Sequence, residues 1–219
     1  MDEKFTVRRF VPADAVDVQK IIHRGLREVN GKDYPAERIE EYCACFTTEK
    51  IIRQAETAHM YVAVSNSGRI LGTGTIAPFW GSKTESILLT IYVLPELIRN
   101  GIGTEIIRTL GQDDFFLRAK RIEIPSSITA VNFYRKQGYK FKDGRGISDE
   151  EGLVRMEMLK YHFRCHRAVG SDSGRRLRFK RTVVCRHYAL SNGRCCGFPF
   201  CVRLDDYWND FRFSSHGRR

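Results

Sequence analysis

The spacing of apolar residues divides the first 160 positions into short elements. Phe5-Thr6-Val7-Arg8-Arg9-Phe10 alternates apolar and polar over most of its length and predicts a first strand. Pro12-Ala13-Asp14 opens a helix carrying Val18, Ile22, Leu26 and Val29 at spacings of four, four and three, with Asn30-Gly31 as its stop. A second helical stretch begins near Pro35, with Ile39, Tyr42, Cys43 and Phe46 on one face. Thr47-Thr48 interrupts it before a short continuation from Glu49 to Ala55. Met60-Tyr61-Val62-Ala63-Val64 and residues 69–77 flank the turn signal Asn66-Ser67-Gly68, which predicts an antiparallel hairpin. Gly72 and Gly74 lie inside the second of these strands with no helix after them, so close packing or a bulge is expected.

The strongest feature follows. Ile87-Leu88-Leu89-Thr90-Ile91-Tyr92-Val93 reads as a buried strand and leads into Leu94-Pro95-Glu96-Leu97-Ile98-Arg99-Asn100-Gly101-Ile102-Gly103-Thr104. A helical pattern then carries Ile102, Ile106, Leu110 and Leu117. Strand, glycine turn and helix in that order leave a row of backbone N–H groups free at a helix N-terminus, where an anion binds. Glycines at 101 and 103 let a phosphate approach without a Cβ in the way. A pyrophosphate-binding turn is the expectation. The third glycine of a dinucleotide fingerprint is missing, and no lysine follows as a P-loop requires.

Beyond it, Arg121-Ile122-Glu123-Ile124 predicts a short strand. Pro125-Ser126-Ser127 predicts a helix start with serine caps, and the helix aligns Ser127, Ala130, Val131 and Tyr134 before Gly138 ends it. Tyr139-Lys140-Phe141 and residues 153–158 read as closing strands. The order β-α-α-β-β-β-α-β-α-β-β makes a mixed α/β domain that ends near Lys160.

Composition matters mainly at that boundary. The chain of 219 residues carries a formal charge of +11. Residues 161–219 hold 13 Lys and Arg against 4 Asp and Glu, whereas residues 1–160 hold 24 against 22. The domain (1–160) is nearly neutral and the basic character belongs to the segment 161–219, read as a poorly ordered appendage. Five of the seven cysteines also lie there. Cys185, Cys195, Cys196, Cys201 and His187 match no compact pair-of-pairs zinc spacing, and no metal is expected. Positive tails bind nucleic acid weakly and salt-sensitively without a dedicated role, so nucleic acid is not expected as a partner. No apolar run reaches membrane-span length and the N-terminus has no hydrophobic signal, which gives a cytoplasmic location and no membrane partner as expectations.

Two motifs carry a resemblance. Residues 95–104 resemble the acyl-CoA-binding signature of the GCN5-related N-acetyltransferases (GNAT). Ala130-Val131-Asn132-Phe133-Tyr134-Arg135-Lys136-Gln137-Gly138-Tyr139 is similar to the second motif of that superfamily. The resemblance covers roughly residues 4–160. It implies a mostly antiparallel central sheet flanked by helices, with acetyl-CoA as acyl donor and a small-molecule primary amine as acceptor. A homodimer stays open. The family's first motif usually has Gln or Arg where this chain has Ile98, so the grip on phosphate is expected from backbone N–H groups, with Arg99 adding positive field.

The resemblance further implies that the central strand splays from its neighbour near Tyr92 and Val93, whose backbone would pair with the pantetheine arm. Residues Arg99, Asn100, Gly101, Ile102, Gly103 and Thr104 would hold the pyrophosphate. Tyr134 would protonate the leaving thiolate. No carboxylate lies between Ser86 and Val93, and the base stays unassigned between Glu85 and a water held by Thr90 and Tyr92. Acceptor choice is expected from the first two helices, the 30–35 connection and the Phe79-Trp80 turn. A non-catalytic acyl-CoA-binding module is the alternative, and a nucleic-acid-binding protein acting through the basic tail is a lesser one.

Overall fold

Seven strands form one sheet in the order β1-β2-β3-β4-β5-β7-β6. The computed structural model describes residues 4–160; the readings of the basic segment 161–219 lie outside the described residues. Antiparallel neighbours β1 (Phe5–Arg9), β2 (His59–Ser65), β3 (Ile70–Pro78) and β4 (Glu85–Val93) make one half. β5 (Arg121–Ser126) joins β4 in parallel, and β6 (Lys140–Phe141) and β7 (Val154–Leu159) complete the sheet antiparallel. The expected mixed α/β class, mostly antiparallel and flanked by helices, is the one observed.

Helices cover both faces. α1 (Ala15–Arg24) buries Ala15, Val18, Ile21 and Ile22 on one stripe, then widens into a π turn over Gly25–Val29. α2 (Ala36–Cys45) and α3 (Thr48–Thr57) are separate helices, because the Thr47 hydroxyl accepts the Lys50 N–H and caps α3. His23 has a structural role. Its Nε2 lies 2.9 Å and 3.0 Å from the carbonyl oxygens of Cys43 and Phe46. Carbonyls only accept, so Nε2 is the protonated nitrogen, and the ring fastens α1 to the end of α2.

On the other face, α4 (Ile102–Leu110) lies so close to β3 that a Cβ on Gly74 would come 2.5 Å from Ile106 Cγ2. One on Gly72 would come 2.8 Å from the Tyr92 carbonyl oxygen. These glycines are there for close packing, as the strand context implied.

Two expectations change. The helix after the glycine turn stops at Leu110, and Leu117 is exposed on a second helix, α5 (Asp114–Arg118). Asp113 caps α5 by accepting the Phe115 N–H at 2.8 Å, and a new N-cap cannot lie inside a continuous helix. The buried Asp113 carboxylate also accepts from His59 at 2.7 Å and Tyr61 at 2.8 Å, which anchors this break to β2. Secondly, β5 runs through Pro125 to Ser126 instead of ending at Ile124. Proline is tolerated where a strand edge is open, and the β4 side of β5 is open at that point.

Candidate active site

β4 and β5 are paired only at Glu85↔Arg121, Ser86↔Ile122 and Ile87↔Glu123. Past these residues the two strands part. The physical cause lies in β4. Against β3, Leu89 pairs with Thr75 and Tyr92 with Thr73, so three steps along β4 match two along β3. This is a β-bulge, and a bulged strand bends. Thr90 sits in it at φ 54, a left-handed conformation that costs a non-glycine residue about 1–3 kcal/mol. Its hydroxyl donates to Gln54 Oε1 of α3 at 3.2 Å, with both residues buried.

The glycine turn stands at the open end of β4. A single turn at Pro95–Leu97 is followed by Arg99 at φ 75 and Gly101 at φ 79, and α4 starts at Ile102. Asn100 N–H is spent on the Leu97 carbonyl at 3.3 Å. The N–H groups of Arg99, Gly101, Ile102, Gly103 and Thr104 donate to no acceptor among the described residues. Successive N–H groups of this kind form an anion-binding concavity, reinforced by the positive end of α4. Ile98 is exposed, and the Ile102 side chain is core, so Ile102 offers only its N–H. The Arg99 guanidinium makes no ion pair among the described residues. Glu96 fixes the turn from beneath: its carboxylate meets Arg24 at 3.0 Å and Arg69 at 2.8 Å. The Arg24 hydrogen bond holds that carboxyl below its usual value.

The second motif reaches this turn directly. A Cβ on Gly103 would lie 3.5 Å from the Phe133 ring and 3.7 Å from Val93 Cγ2. α6 (Val131–Lys136) thus packs its Phe133 where the turn meets the end of β4. Tyr134, next to it, is fully buried, and its carbonyl accepts from Gln137 and Tyr139 as Gly138 turns the chain at φ 96. Tyr92 points to the opposite face, where its ring lies against Gly25: a Cβ there would come 2.5 Å from Tyr92 Cδ1.

Beside the open end of β4, under the segment 26–42 that supplies Leu26, Asn30, Tyr34, Ile39 and Tyr42, is a narrow cavity also lined by Tyr92, Ser127 and Leu153. Its free space of about 10 Å³ is close to what one water needs. Tyr34 and Tyr42 are pinned by their hydroxyls, which donate to the carbonyls of Gly152 and Glu151 at 2.8 Å and 2.9 Å. Ser127 was expected to cap a helix. It makes no side-chain capping bond, and its Oγ is buried with no hydrogen-bond partner among the described residues. Ser127 and Gln54 are the residues that sequence reasoning did not identify as part of this region; Thr90 was expected there as a holder of a water, but its bulge was not. A polar Gln54 three residues after Ile51, on the buried side of α3, was the available signal for one of them.

Other candidates fall away by position. Glu85 lies at the paired end of β4 and is tied to Arg121 at 2.7 Å, a bond that keeps its carboxyl low. It is therefore remote from the open end and already committed. The Phe79-Trp80 turn precedes that same closed end, where Arg121 stacks 4.6 Å from the Phe79 ring. It does not border the opening, whereas the Asp33-Tyr34 part of the 30–35 connection does: the Tyr34 hydroxyl accepts the Ile128 N–H at 2.9 Å. Among the described residues no group of three His, Cys, Asp or Glu could hold a metal ion, and no helix is long and apolar enough to cross a membrane.

Residues 56–141 match the family model of the acetyltransferase (GNAT) domain, a span that includes both the glycine turn and the 130–139 motif. The fold is similar to that of a GCN5-related N-acetyltransferase from Rhodopseudomonas palustris, at 19% identity and TM-score 0.58 over 71% of this chain and 95% of that one. It is also similar to the PaiA N-acetyltransferase from Thermoplasma acidophilum in complex with coenzyme A, at 17% identity and TM-score 0.59 over 72% and 99%. A GNAT family acetyltransferase from Brucella melitensis in complex with acetyl-CoA matches at 19% identity and TM-score 0.50 over 78% and 92%. No curated protein sequence matches the chain.

Proposed function

We propose that this chain, an acyl-CoA-dependent acetyltransferase of the GNAT superfamily, moves an acetyl group from acetyl-CoA to a primary amine of a small molecule by direct attack in a ternary complex. The observation that carries the reading is the set of unspent N–H groups at Arg99, Gly101, Ile102, Gly103 and Thr104, opening where β4 and β5 part. A pyrophosphate fits such a set without a basic side chain at position 98. Asn100, whose N–H is already used, contributes to the shape of the turn instead.

From there the pantetheine arm would run along the free edge of β4, pairing with the backbone at Tyr92 and Val93. A backbone N–H beside the thioester carbonyl would stabilise the oxyanion that develops on attack. Tyr134 would supply the proton to the departing CoA sulfur. The amine nitrogen forms its bond to the carbonyl carbon, the carbon–sulfur bond breaks, and the proton shed by nitrogen makes good the one taken from Tyr134.

Thiol release from acetyl-CoA against a panel of amines tests the reading. Steady release that depends on both substrates, with intersecting double-reciprocal lines, is the expected outcome. Tight CoA binding with no acetylated amine, unaffected by Tyr134→Phe, would instead identify a non-catalytic acyl-CoA binder.

A further inference from the structure

The helix that carries Tyr134 is short, and its start is held from far away in the chain. α6 (Val131–Lys136) follows a single turn at Ile128–Ala130. A helix of that length has little stability of its own, so its placement depends on what grips its ends. The far end is held by the bonds from the Gln137 and Tyr139 N–H groups to the Tyr134 carbonyl. At the near end Ser127 gives no side-chain cap. The Ile128 N–H instead donates to the Tyr34 hydroxyl at 2.9 Å, across 94 positions of sequence. That hydroxyl is itself oriented: its proton goes to the Gly152 carbonyl at 2.8 Å, which leaves a lone pair for the incoming N–H. The ring is seated on Gly152, where a Cβ would come 3.0 Å from Tyr34 Cε1. Beside it the Thr129 hydroxyl donates to Asp33 Oδ2 at 2.5 Å. Two adjacent residues of the connection between α1 and α2 thus hold two adjacent residues at the head of α6.

We infer that Tyr34 is a positioning residue for acetyl transfer: through the Ile128 N–H its hydroxyl fixes the start of α6, and with it the place of Tyr134. The inference rests on the acetyl-transfer reading, in which Tyr134 protonates the departing thiolate, and deepens it. Proton transfer needs donor and acceptor within hydrogen-bond reach. A misplacement of about 1 Å can cost about 100-fold in rate. The chain from Ile128 to Tyr134 is continuous 3-10 and α-helical backbone, so a shift at the head of α6 is carried to Tyr134. The contact of Phe133 with Gly103 fixes one point of α6 against the glycine turn. A helix held at one ring contact can still pivot about it, and the bonds to Tyr34 and Asp33 remove that freedom. Tyr34 takes no part in the proton transfer itself, because its own proton is committed to Gly152. Tyr34→Phe keeps the ring and removes only the oxygen that joins Ile128 to Gly152, while the N–H groups at 99–104 are untouched.

Three measurements on the full chain test this. Amide hydrogen exchange across 128–134 should quicken about tenfold in Tyr34→Phe while exchange in α4 stays as in the wild type. Unchanged exchange at 128–134 would overturn the hold on α6. In initial rates, Tyr34→Phe should lower kcat about tenfold, with the KM for acetyl-CoA within about twofold of wild type. The deciding result is the double-mutant cycle with Tyr134→Phe. A residue that acts through Tyr134 has nothing left to position once the phenol oxygen is gone, so on that background Tyr34→Phe should cost about twofold or less in kcat. An undiminished loss there would make Tyr34 a structural fastener only and overturn the inference. Thr129→Val removes the exposed second tie with little risk to folding, and should show the same dependence on Tyr134 with a smaller loss. Wild-type protein that releases no thiol with any amine would sink the acetyl-transfer reading and this inference with it. The exchange result would be the same in that case, so the two failures are told apart.

Discussion

Thr90 and Gln54 are joined by a buried hydrogen bond of 3.2 Å that links the bulge in β4 to helix α3. Thr90 holds a backbone conformation it would not choose alone, and Gln54 supplies the acceptor that fixes its side chain there. The bend that opens the sheet is therefore under the control of a residue outside the opening. Gln54→Leu leaves the Thr90 hydroxyl buried and unpaired, which costs about 1–3 kcal/mol of stability by urea unfolding. It should also lower kcat more than it raises the KM for acetyl-CoA, because the turn proposed to hold the pyrophosphate is untouched. An unchanged kcat in a folded variant would separate the bulge from catalysis.

Two glycine substitutions should fail in different ways. Gly25→Ala forces a Cβ to within 2.5 Å of the Tyr92 ring, and overpacking of this kind costs about 1–3 kcal/mol, readable as a lower Tm. Gly101→Ala meets nothing within 4 Å, but its φ of +79 carries a backbone penalty of about 1–2 kcal/mol. Relief of that strain rotates the free N–H groups. The expected result is a raised KM for acetyl-CoA, measured by initial rates, with a smaller change in Tm than the backbone penalty alone implies.

Tyr134→Phe removes one oxygen from a fully buried ring and keeps its packing against Phe133. With Tyr134 in the proposed role of proton donor, its loss should reduce kcat by about 100-fold or more, while acetyl-CoA affinity by titration calorimetry stays within a factor of two or so of wild type. Equal loss of affinity and rate would assign Tyr134 to cofactor binding instead.

Acid stability should depend on Asp14. Burial pushes its carboxyl up, but the Arg8 guanidinium at 2.7 and 2.8 Å and the Val11 N–H at 2.9 Å outweigh this and hold it below its ordinary value. A carboxyl lowered in the folded state stabilises the protein above its unfolded pKa, about 4, and that contribution is lost as pH falls through the folded value. Arg8 is partly exposed, so the share of the pair is discounted to about 1 kcal/mol. Asp14→Asn should be less stable than wild type at pH 7, with the gap closing below about pH 4.

Removal of residues 161–219 should leave acetyl transfer within about twofold of the full chain. Lys160 must stay, because its ammonium donates to the Phe116 carbonyl at 2.6 Å and its N–H donates to Lys120. Loss of transfer in a folded truncation would move the domain boundary beyond Lys160.

Local chemistry was legible in the sequence and long-range pairing was not. The glycine turn announced itself because strand, glycines and helix are contiguous. The seat of Phe133 beside Gly103 depends on the turn of α6, which no spacing reveals. Pro125 suggested the end of β5, since a proline argues against an inner strand; only the absence of β4 at that point lets the strand continue. Phe79 and Trp80 read as walls of the acceptor cleft because aromatic loop residues often line clefts. The antiparallel hairpin between β3 and β4 places them at the closed end, a fact about direction that residue type does not carry. Ser127 looked like a cap because a serine before a helix usually is one.

The parting of β4 and β5 puts two strand edges inside the molecule instead of at its rim. An exposed edge is a template for any passing strand and a source of aggregation. Here the edges lie between the covered faces of the sheet, and Pro125 removes one donor from β5. What can still bond to such an edge is something linear, slender and studded with amides. The gap thus keeps a hazard of sheet proteins away from the rim, and in the reading proposed above an extended amide chain is what pairs with the opened edge.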